Sequence, residues 1–104
     1  MANNAMSLMA ARSIFRFHGL RVTYSPADDV DFQRWAIINR DVQSESSDSF
    51  ARLSERRTEI SLLVEEGAVQ RGDVVTVAED EAYTLVERVF DDGIEARYVA
   101  RSVV

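Results

Sequence analysis

The 104-residue sequence predicts a single, mainly β domain, a small barrel or sandwich of about six strands with a short helix and a long irregular loop. Short runs in which apolar and polar residues alternate, as they do in half-buried strands, recur along most of the chain. Two of these runs flank Asp91-Asp92-Gly93, and an Asp-Gly pair in that position is a strong signal for a β-hairpin. The chain contains one proline and four glycines, so each of them is informative as a mark of a turn.

The first twelve residues, MANNAMSLMAAR, predict a short helix or an arm that precedes the domain of residues 13–104. Alanine, methionine and leucine favour helix, and Met6 and Met9 would share one helical face. A helix of this length is not stable by itself. The segment is therefore either a frayed terminus or an arm that becomes ordered against a neighbouring subunit, with Met6 and Met9 as candidate subunit contacts.

The first strand is expected to end in a turn that contains Pro26. Residues with a β preference begin at Ser13, and Gly19 interrupts them, which indicates a turn or a bulge. From there to Tyr24 apolar and polar residues alternate, as in a strand with one buried face.

A second strand is expected over residues 30–39. Val30 and Phe32 follow one phase of the alternation, whereas Trp35 and its apolar neighbours follow the other. A bulge near Gln33-Arg34 would reconcile the two phases, because one extra residue reverses the faces that follow it. This interpretation places Trp35 in the core.

The long irregular loop is expected at residues 40–57, where the sequence reads RDVQSESSDSFARLSERR. Its second half could form a short helix capped by Ser47 or Asp48. A connection this long and polar in a small β domain is uncommon unless it is functional or mobile. The loop therefore supplies the remaining candidate contacts between subunits or rings, which are Arg40, Phe50, Arg52, Leu53, Arg56 and Arg57.

The second half of the chain predicts four more strands, at residues 58–64, 74–77, 82–90 and 94–103. In the first of these, Ile60, Leu62 and Val64 are expected to point inward. In the last, one face is expected to hold Ile94, Ala96, Tyr98 and Ala100. The tripeptide Arg71-Gly72-Asp73 is interpreted as a turn before a strand, with Gly72 giving the backbone its freedom.

The sequence lacks the residue combinations on which common catalytic and cofactor sites depend, and no enzyme activity, metal or cofactor is expected. There is no cysteine, and His18 is the one histidine, so that no metal-ligating cluster is present. No glycine-rich phosphate loop and no nucleophile elbow occurs. The paired acidic residues fall in predicted turns, where carboxylates are usually solvated.

Charge and hydropathy narrow the choice of partners. The formal net charge of −6 disfavours tight binding to duplex DNA, because readers of DNA that neutralise phosphates are usually basic. No apolar run reaches the length of about 20 residues that a membrane-spanning helix needs. No signal peptide is expected, and the absence of cysteine fits assembly in a reducing cytoplasm.

Two segments resemble the head–tail joining (neck, stopper or head-completion) proteins of long-tailed bacteriophages. Residues 17–26, FHGLRVTYSP, are similar to the opening strand and turn of that family. Residues 71–93 resemble its closing pattern, in which an Arg-Gly-Asp turn, a short strand, a strand with a tyrosine and an acidic-glycine hairpin follow one another. The two segments cover about a third of the residues and frame most of the length.

The resemblance implies a virion protein at the head–tail interface, assembled in the host cytoplasm. Such a subunit would form a homo-oligomeric ring, a hexamer by family resemblance, below the portal and adaptor rings. It would receive the tail terminator or tail tube, and DNA would pass nearby without sequence-specific binding. Two alternatives remain at this stage: a tail terminator or tail-completion protein, and a small β-barrel module that binds nucleic acid or protein.

Overall fold

The computed structural model describes residues 2–43 and 56–103, which form one helix packed on a closed antiparallel barrel. A short 3-10 turn, Val64–Glu66, follows the third strand. Around the barrel the described strands are ordered β1-β2-β3-β6-β5-β4, so that β1 and β4 close it. In chain order the elements are α1 (Ala2–His18), β1 (Leu20–Ser25), β2 (Phe32–Gln43), β3 (Arg56–Leu63), β4 (Val74–Ala78), β5 (Glu81–Asp91) and β6 (Glu95–Ser102).

The predicted fold class is confirmed, and the structure selects a barrel rather than a sandwich. The interior is lined by residues from every described strand, as the strand alternation predicts. Ile60 and Leu62 of β3 are fully buried, and Val64 packs against the core from the 3-10 turn. On β6 the buried face holds Ala96, Tyr98 and Ala100.

The helix is longer than predicted, because it continues from residue 12 through His18. The expectation that Ser13–His18 belongs to a β-favouring run is therefore wrong. Phe15 is 2% exposed and anchors this part of the helix on the outer surface of β2 and β3. Gly19 ends the helix by donating its N–H to the Phe15 carbonyl over 2.8 Å. A Cβ at Gly19 would clash with that carbonyl and lie 2.8 Å from the Ala36 oxygen, so the space requires glycine.

The predicted bulge at Gln33-Arg34 is wrong. β1 and β2 pair without interruption from Leu20–Ala36 to Tyr24–Phe32. The irregularity in β2 lies instead between Asn39 and Val42, opposite β3.

Trp35 is half-buried on the outside of the barrel rather than in the core, and the inward position next to it is taken by Arg34. The uninterrupted pairing of β2 fixes this phase, because one residue of slip would reverse both side chains.

The described part of residues 40–57 is strand rather than irregular loop, since β2 extends to Gln43 and β3 begins at Arg56. The helix expected near Ser47 lies outside the described residues. The two predicted turns that carry glycines are confirmed: Gly72 and Gly93 have φ values of 97° and 86°, in the left-handed region that favours glycine.

Candidate functional site

The described residues contain no group of three or more His, Asp or Glu side chains that could hold a metal ion. In the same part of the chain, no helix is long and apolar enough to cross a membrane. The features that can support a function are an apolar helix face, a cleft with arginines and a tryptophan, and a buried polar cluster beneath a groove.

The helix α1 exposes three large apolar side chains, Met9, Ile14 and Phe17, which together are here called the outer face. These side chains are 63%, 51% and 84% exposed. At about 100° per residue, Phe17 lies almost opposite the buried Phe15, and Met9 and Ile14 lie on either side of Phe17. A surface helix normally carries polar residues on its solvent side. The outer face is therefore a candidate contact surface.

The cleft beside the helix, here called the Arg–Trp cleft, has a volume of about 290 Å³ and contains both cations and carboxylates. Arg12 donates two hydrogen bonds of 2.7 Å to Glu65, one to each carboxylate oxygen. The guanidinium of Arg12, through these bonds, lowers the pKa of the Glu65 carboxyl from its ordinary value. The pair ties α1 to the segment after β3. The cleft is lined by Arg12, Arg16, Arg21, Trp35, Leu63, Glu65 and Glu66.

Arg21 and Trp35 form the outer wall of the Arg–Trp cleft. They are directly opposite one another on β1 and β2, and the Arg21 guanidinium carbon lies 5.5 Å from the centroid of the indole ring. The Arg21 side chain also pairs with Glu66 over 3.8 Å. Two of the three arginines are thus paired with carboxylates, and among the described residues Arg16 has no such partner.

A buried polar cluster lies at the barrel end where β1 stops and β4 starts. Tyr24 donates its hydroxyl hydrogen to Oδ2 of Asp73 over 2.5 Å. The two oxygens of Asp73 also accept the backbone N–H groups of Ala27 and Gln70, each over 3.2 Å. Burial and the bond to Asp73 raise the pKa of the Tyr24 phenol above its ordinary value. Asp73 therefore fixes two loops, the β1–β2 turn and the segment before β4.

Arg34 completes this cluster from inside the barrel, where its side chain is fully buried. Its Nη2 donates to the carbonyl oxygens of Leu63 and Gly67 over 2.5 and 3.0 Å. Its guanidinium lies 4.7 Å from the ring centroid of Tyr24. Burial lowers the pKa of Arg34, and the carboxylates of Glu66 and Asp73 act in the opposite direction. Nε and Nη1 have no hydrogen-bond partner in the described part of the chain.

The two loops held by Asp73 enclose a groove of about 300 Å³, here called the turn groove. Its apolar lining comes mainly from Pro26, Ala27, Phe32 and Ala68. The carboxylates of Asp28 and Asp29 stand beside it, and the neighbouring Val30 is 76% exposed. The remaining lining residues are Gly67, Gln70 and Asp73.

The structure places the contact residues predicted from the sequence in different environments. Met9 belongs to the outer face of α1, and Met6 lies in α1 with a side chain that is outside the description. Arg40 pairs with Glu81 over 2.6 Å, and Arg57 pairs with Glu59 over 2.8 Å, so both cations are used within the chain. Arg56 begins β3, and its side chain is not described. Phe50, Arg52 and Leu53 lie outside the described residues.

The sequence interpretation missed Ile14 and Phe17 as members of the outer face, because they were assigned to a strand. A signal was present, since Ala10, Ile14 and Phe17 follow one another at spacings of four and three residues, which continue the helix begun at residue 2. It also missed Arg34, which a strict alternation from Phe32 would have placed inside the barrel.

Comparisons of the chain with known protein-family models and with curated proteins give no match. The functional proposal therefore depends on the surfaces described above and on the two segments that resemble the phage neck proteins.

Proposed function

We propose that this chain is a structural subunit of the neck ring of a long-tailed bacteriophage. In this role it docks the tail onto the portal and adaptor rings and helps to retain packaged DNA. The observation that carries the proposal is the outer face of α1, where three large apolar side chains are more than half exposed. A ring subunit needs such a surface for its neighbour, whereas an isolated small domain does not.

The position of the two resembling segments supports the proposal. Residues 17–26 contain β1, and residues 71–93 contain β4 and β5. β1 pairs with β4 to close the barrel, and the Tyr24–Asp73 hydrogen bond joins the Val-Thr-Tyr and Arg-Gly-Asp sequences. The quoted residues thus form one connected structural unit, as expected for a pattern that belongs to a fold and not to scattered chance matches.

The closed barrel favours association through side chains. Each described strand pairs on both sides, so the described barrel offers no free edge to which another chain could add a strand. Contacts between copies must then use the helix, the loops or the outer barrel surface. Six copies would carry a formal charge of about −36, and acidic walls would let DNA pass without binding it.

The test is an amber mutation in the gene for this chain, in the phage that encodes it. We expect tailless heads that lose their packaged DNA, together with free tails. Gold-labelled antibody against the chain should mark the head–tail junction of complete virions. Tailed, infectious particles that lack the chain would refute the proposal, and a label at the far end of the neck, on the tail, would favour a tail terminator.

A single-strand-binding barrel is the second candidate, and the Arg21–Trp35 pair favours it. Arginines and aromatic rings on an exposed strand face are typical of barrels that bind single-stranded nucleic acid. The carboxylates of Glu65 and Glu66 oppose it, because they already pair with Arg12 and Arg21. Since Trp35 is the one tryptophan, its fluorescence reports on the cleft. Salt-dependent quenching by a single-stranded oligonucleotide would favour this candidate over the neck ring.

A further inference from the structure

We propose that the outer face of α1 binds the turn groove of a second copy of this chain, in a head-to-tail contact. Phe17 occupies the apolar part of the groove, and Arg16 pairs with the carboxylates of Asp28 and Asp29 at its side. The biological role of this contact rests on the proposed ring function, but the contact itself can be tested with the purified chain, without a virion.

Charge complementarity selects a second copy as the occupant. The sequence of α1 contains no acidic residue and contributes +2 through Arg12 and Arg16. Since the whole chain has a formal net charge of −6, the residues outside the helix carry −8. The helix is therefore a cationic element on an anionic body, and its one cation without a described partner, Arg16, precedes the most exposed aromatic side chain, Phe17.

The turn groove has the complementary chemistry. Asp28, Asp29 and Asp31 are exposed around Val30, which is itself 76% exposed. Pro26, Ala27, Phe32 and Ala68 give the groove beside them an apolar part, and its volume of about 300 Å³ is enough for a phenyl ring. Because Asp73 holds both loops by hydrogen bonds, the groove is formed before any ligand arrives, which reduces the entropic cost of binding.

The two surfaces cannot meet within one copy. Phe17 lies just before β1, whereas the turn groove begins just after it, and the five residue steps of β1 span about 17 Å. Two different patches that complement each other at a distance form a heterologous contact, and repetition of that contact gives a ring when the rotation closes. The geometry thus agrees with a ring, and cross-linked species larger than dimers would distinguish the ring from a two-fold dimer in which both copies exchange this contact.

Cross-linking of engineered cysteines tests the contact directly, because the natural chain contains no cysteine. Ser13→Cys, which lies one helical turn before Phe17 and leaves that side chain in place, is mixed with Ala68→Cys and treated with a short bis-maleimide. Both positions are exposed, so neither change opens the core, and an unchanged thermal midpoint and far-UV circular dichroism verify folding. We expect cross-linked dimers in the mixture, and a ladder of larger species from a chain that carries both cysteines.

The matched control replaces Ala68→Cys by Ala78→Cys, an exposed alanine at the other end of β4. We expect at least a tenfold lower yield of dimer with this variant. If Ser13→Cys alone cross-links as well as the mixture, the contact joins two outer faces and the proposal is wrong. A mixture without dimers up to the solubility limit also overturns it.

A charge exchange provides an independent readout of the same contact. Arg16→Glu is expected to raise the dissociation constant for self-association about tenfold, and Asp28→Arg in the same chain should restore it. Failure of that rescue would contradict the assigned pairing. If the chain cross-links in solution but is absent from the neck, this contact is supported and the neck function is refuted. If the chain is present in the neck but does not cross-link in solution, the neck function is supported and this contact is refuted.

Discussion

Arg34 shows at the scale of one residue how this barrel accommodates a charge in its interior. A buried cation is costly unless other groups compensate for its lost hydration. Here two carbonyl oxygens accept from Nη2, and the rings of Tyr24 and Phe32 lie 4.7 and 5.6 Å from the guanidinium carbon. The negative charge of Asp73 adds to this compensation. Arg34, Tyr24 and Asp73 are therefore best regarded as one unit.

Tyr24→Phe is expected to destabilise the protein by about 1–3 kcal/mol, because the buried Asp73 carboxylate loses its hydroxyl donor. The ring remains, so the stacking of Arg34 is retained. Urea denaturation at neutral pH measures the change. Tyr83→Phe is the control, since its hydroxyl bonds to Glu81 in a less buried site, and an equal loss in both variants would contradict the assigned role of the cluster.

The position of Arg34 also explains why the sequence misled us about β2. Trp35 and its apolar neighbours follow the opposite phase of the alternation from Phe32, and placing both sets in the core required a bulge. The alternation of Phe32, Arg34 and Ala36 is in fact unbroken. The compensating groups, above all Asp73, are distant in sequence, so the residues near Arg34 give an inward phase but do not show how a charge could be stabilised there.

At the scale of elements, the β5–β6 hairpin is the feature that local sequence predicts best. Asp92 accepts the backbone N–H groups of Ile94 and Glu95 over 2.9 and 2.8 Å, while Asp91 accepts that of Gly93 over 2.8 Å. The backbone bonds from Glu95 and Ile94 lower the pKa of Asp92 below its ordinary value. All these contacts lie within five residues, so the turn sequence alone determines them.

Asp92→Ala is expected to lower the free energy of unfolding by about 1 kcal/mol or less at neutral pH. Asp92 accepts backbone N–H groups as a helix-capping side chain does, and its exposure to solvent limits the loss. Since the folded-state pKa is lowered, this contribution exists above the unfolded-state pKa and disappears as pH falls through the folded value. Urea midpoints at pH 7 and at strongly acidic pH test this. The control is Asp80→Ala in the β4–β5 turn, and a destabilisation by Asp92→Ala that persists in acid would contradict the assignment.

The helix α1, in contrast to this hairpin, is an element whose end the local sequence does not predict. Residues 13–18 have β-favouring side chains, yet they continue α1, because Phe15 becomes buried against the barrel and Gly19 closes the last turn. Tertiary packing overrides propensity at such positions. Gly19 is also needed because a Cβ at this position would come too close to the carbonyl oxygen of Ala36, and Ala36 belongs to β2, so the local sequence does not show this constraint.

At the scale of the whole molecule, the sequence predicted the approximate number of strands but not the closure of the barrel. The closing pair, β1 with β4, joins residues about fifty positions apart, with Thr23 opposite Thr76. Alternation shows which side of a strand is buried, and it does not show which strands are neighbours. The candidate sites differ in the same way. Met9 could be predicted from a local helical pattern, whereas the turn groove could not, because it depends on loops that only the fold brings together.

The barrel and the helix are expected to differ in their stability. The main core contains residues from all the described strands, and no described residue of α1 belongs to it. Strands in a closed barrel lose their partners together, whereas a docked helix can open locally. Among the described side chains of α1, Phe15 is the buried one. A substitution at Phe15 should therefore distinguish local opening of the helix from unfolding of the barrel.

Phe15→Ala is expected to lower the hydrogen-exchange protection of the α1 amides about 10- to 100-fold, since burial of such a side chain contributes about 1.5–3 kcal/mol. Amides of Leu62 and Leu85, which lie in the barrel core, should keep their protection. Phe17→Ala is the matched control on the same helix, and it should leave protection in α1 unchanged because that side chain is 84% exposed. An equal loss of protection in the helix and the barrel would show instead that the two unfold as one unit, and the outer face would then be displayed by a part of the molecule as stable as the barrel itself.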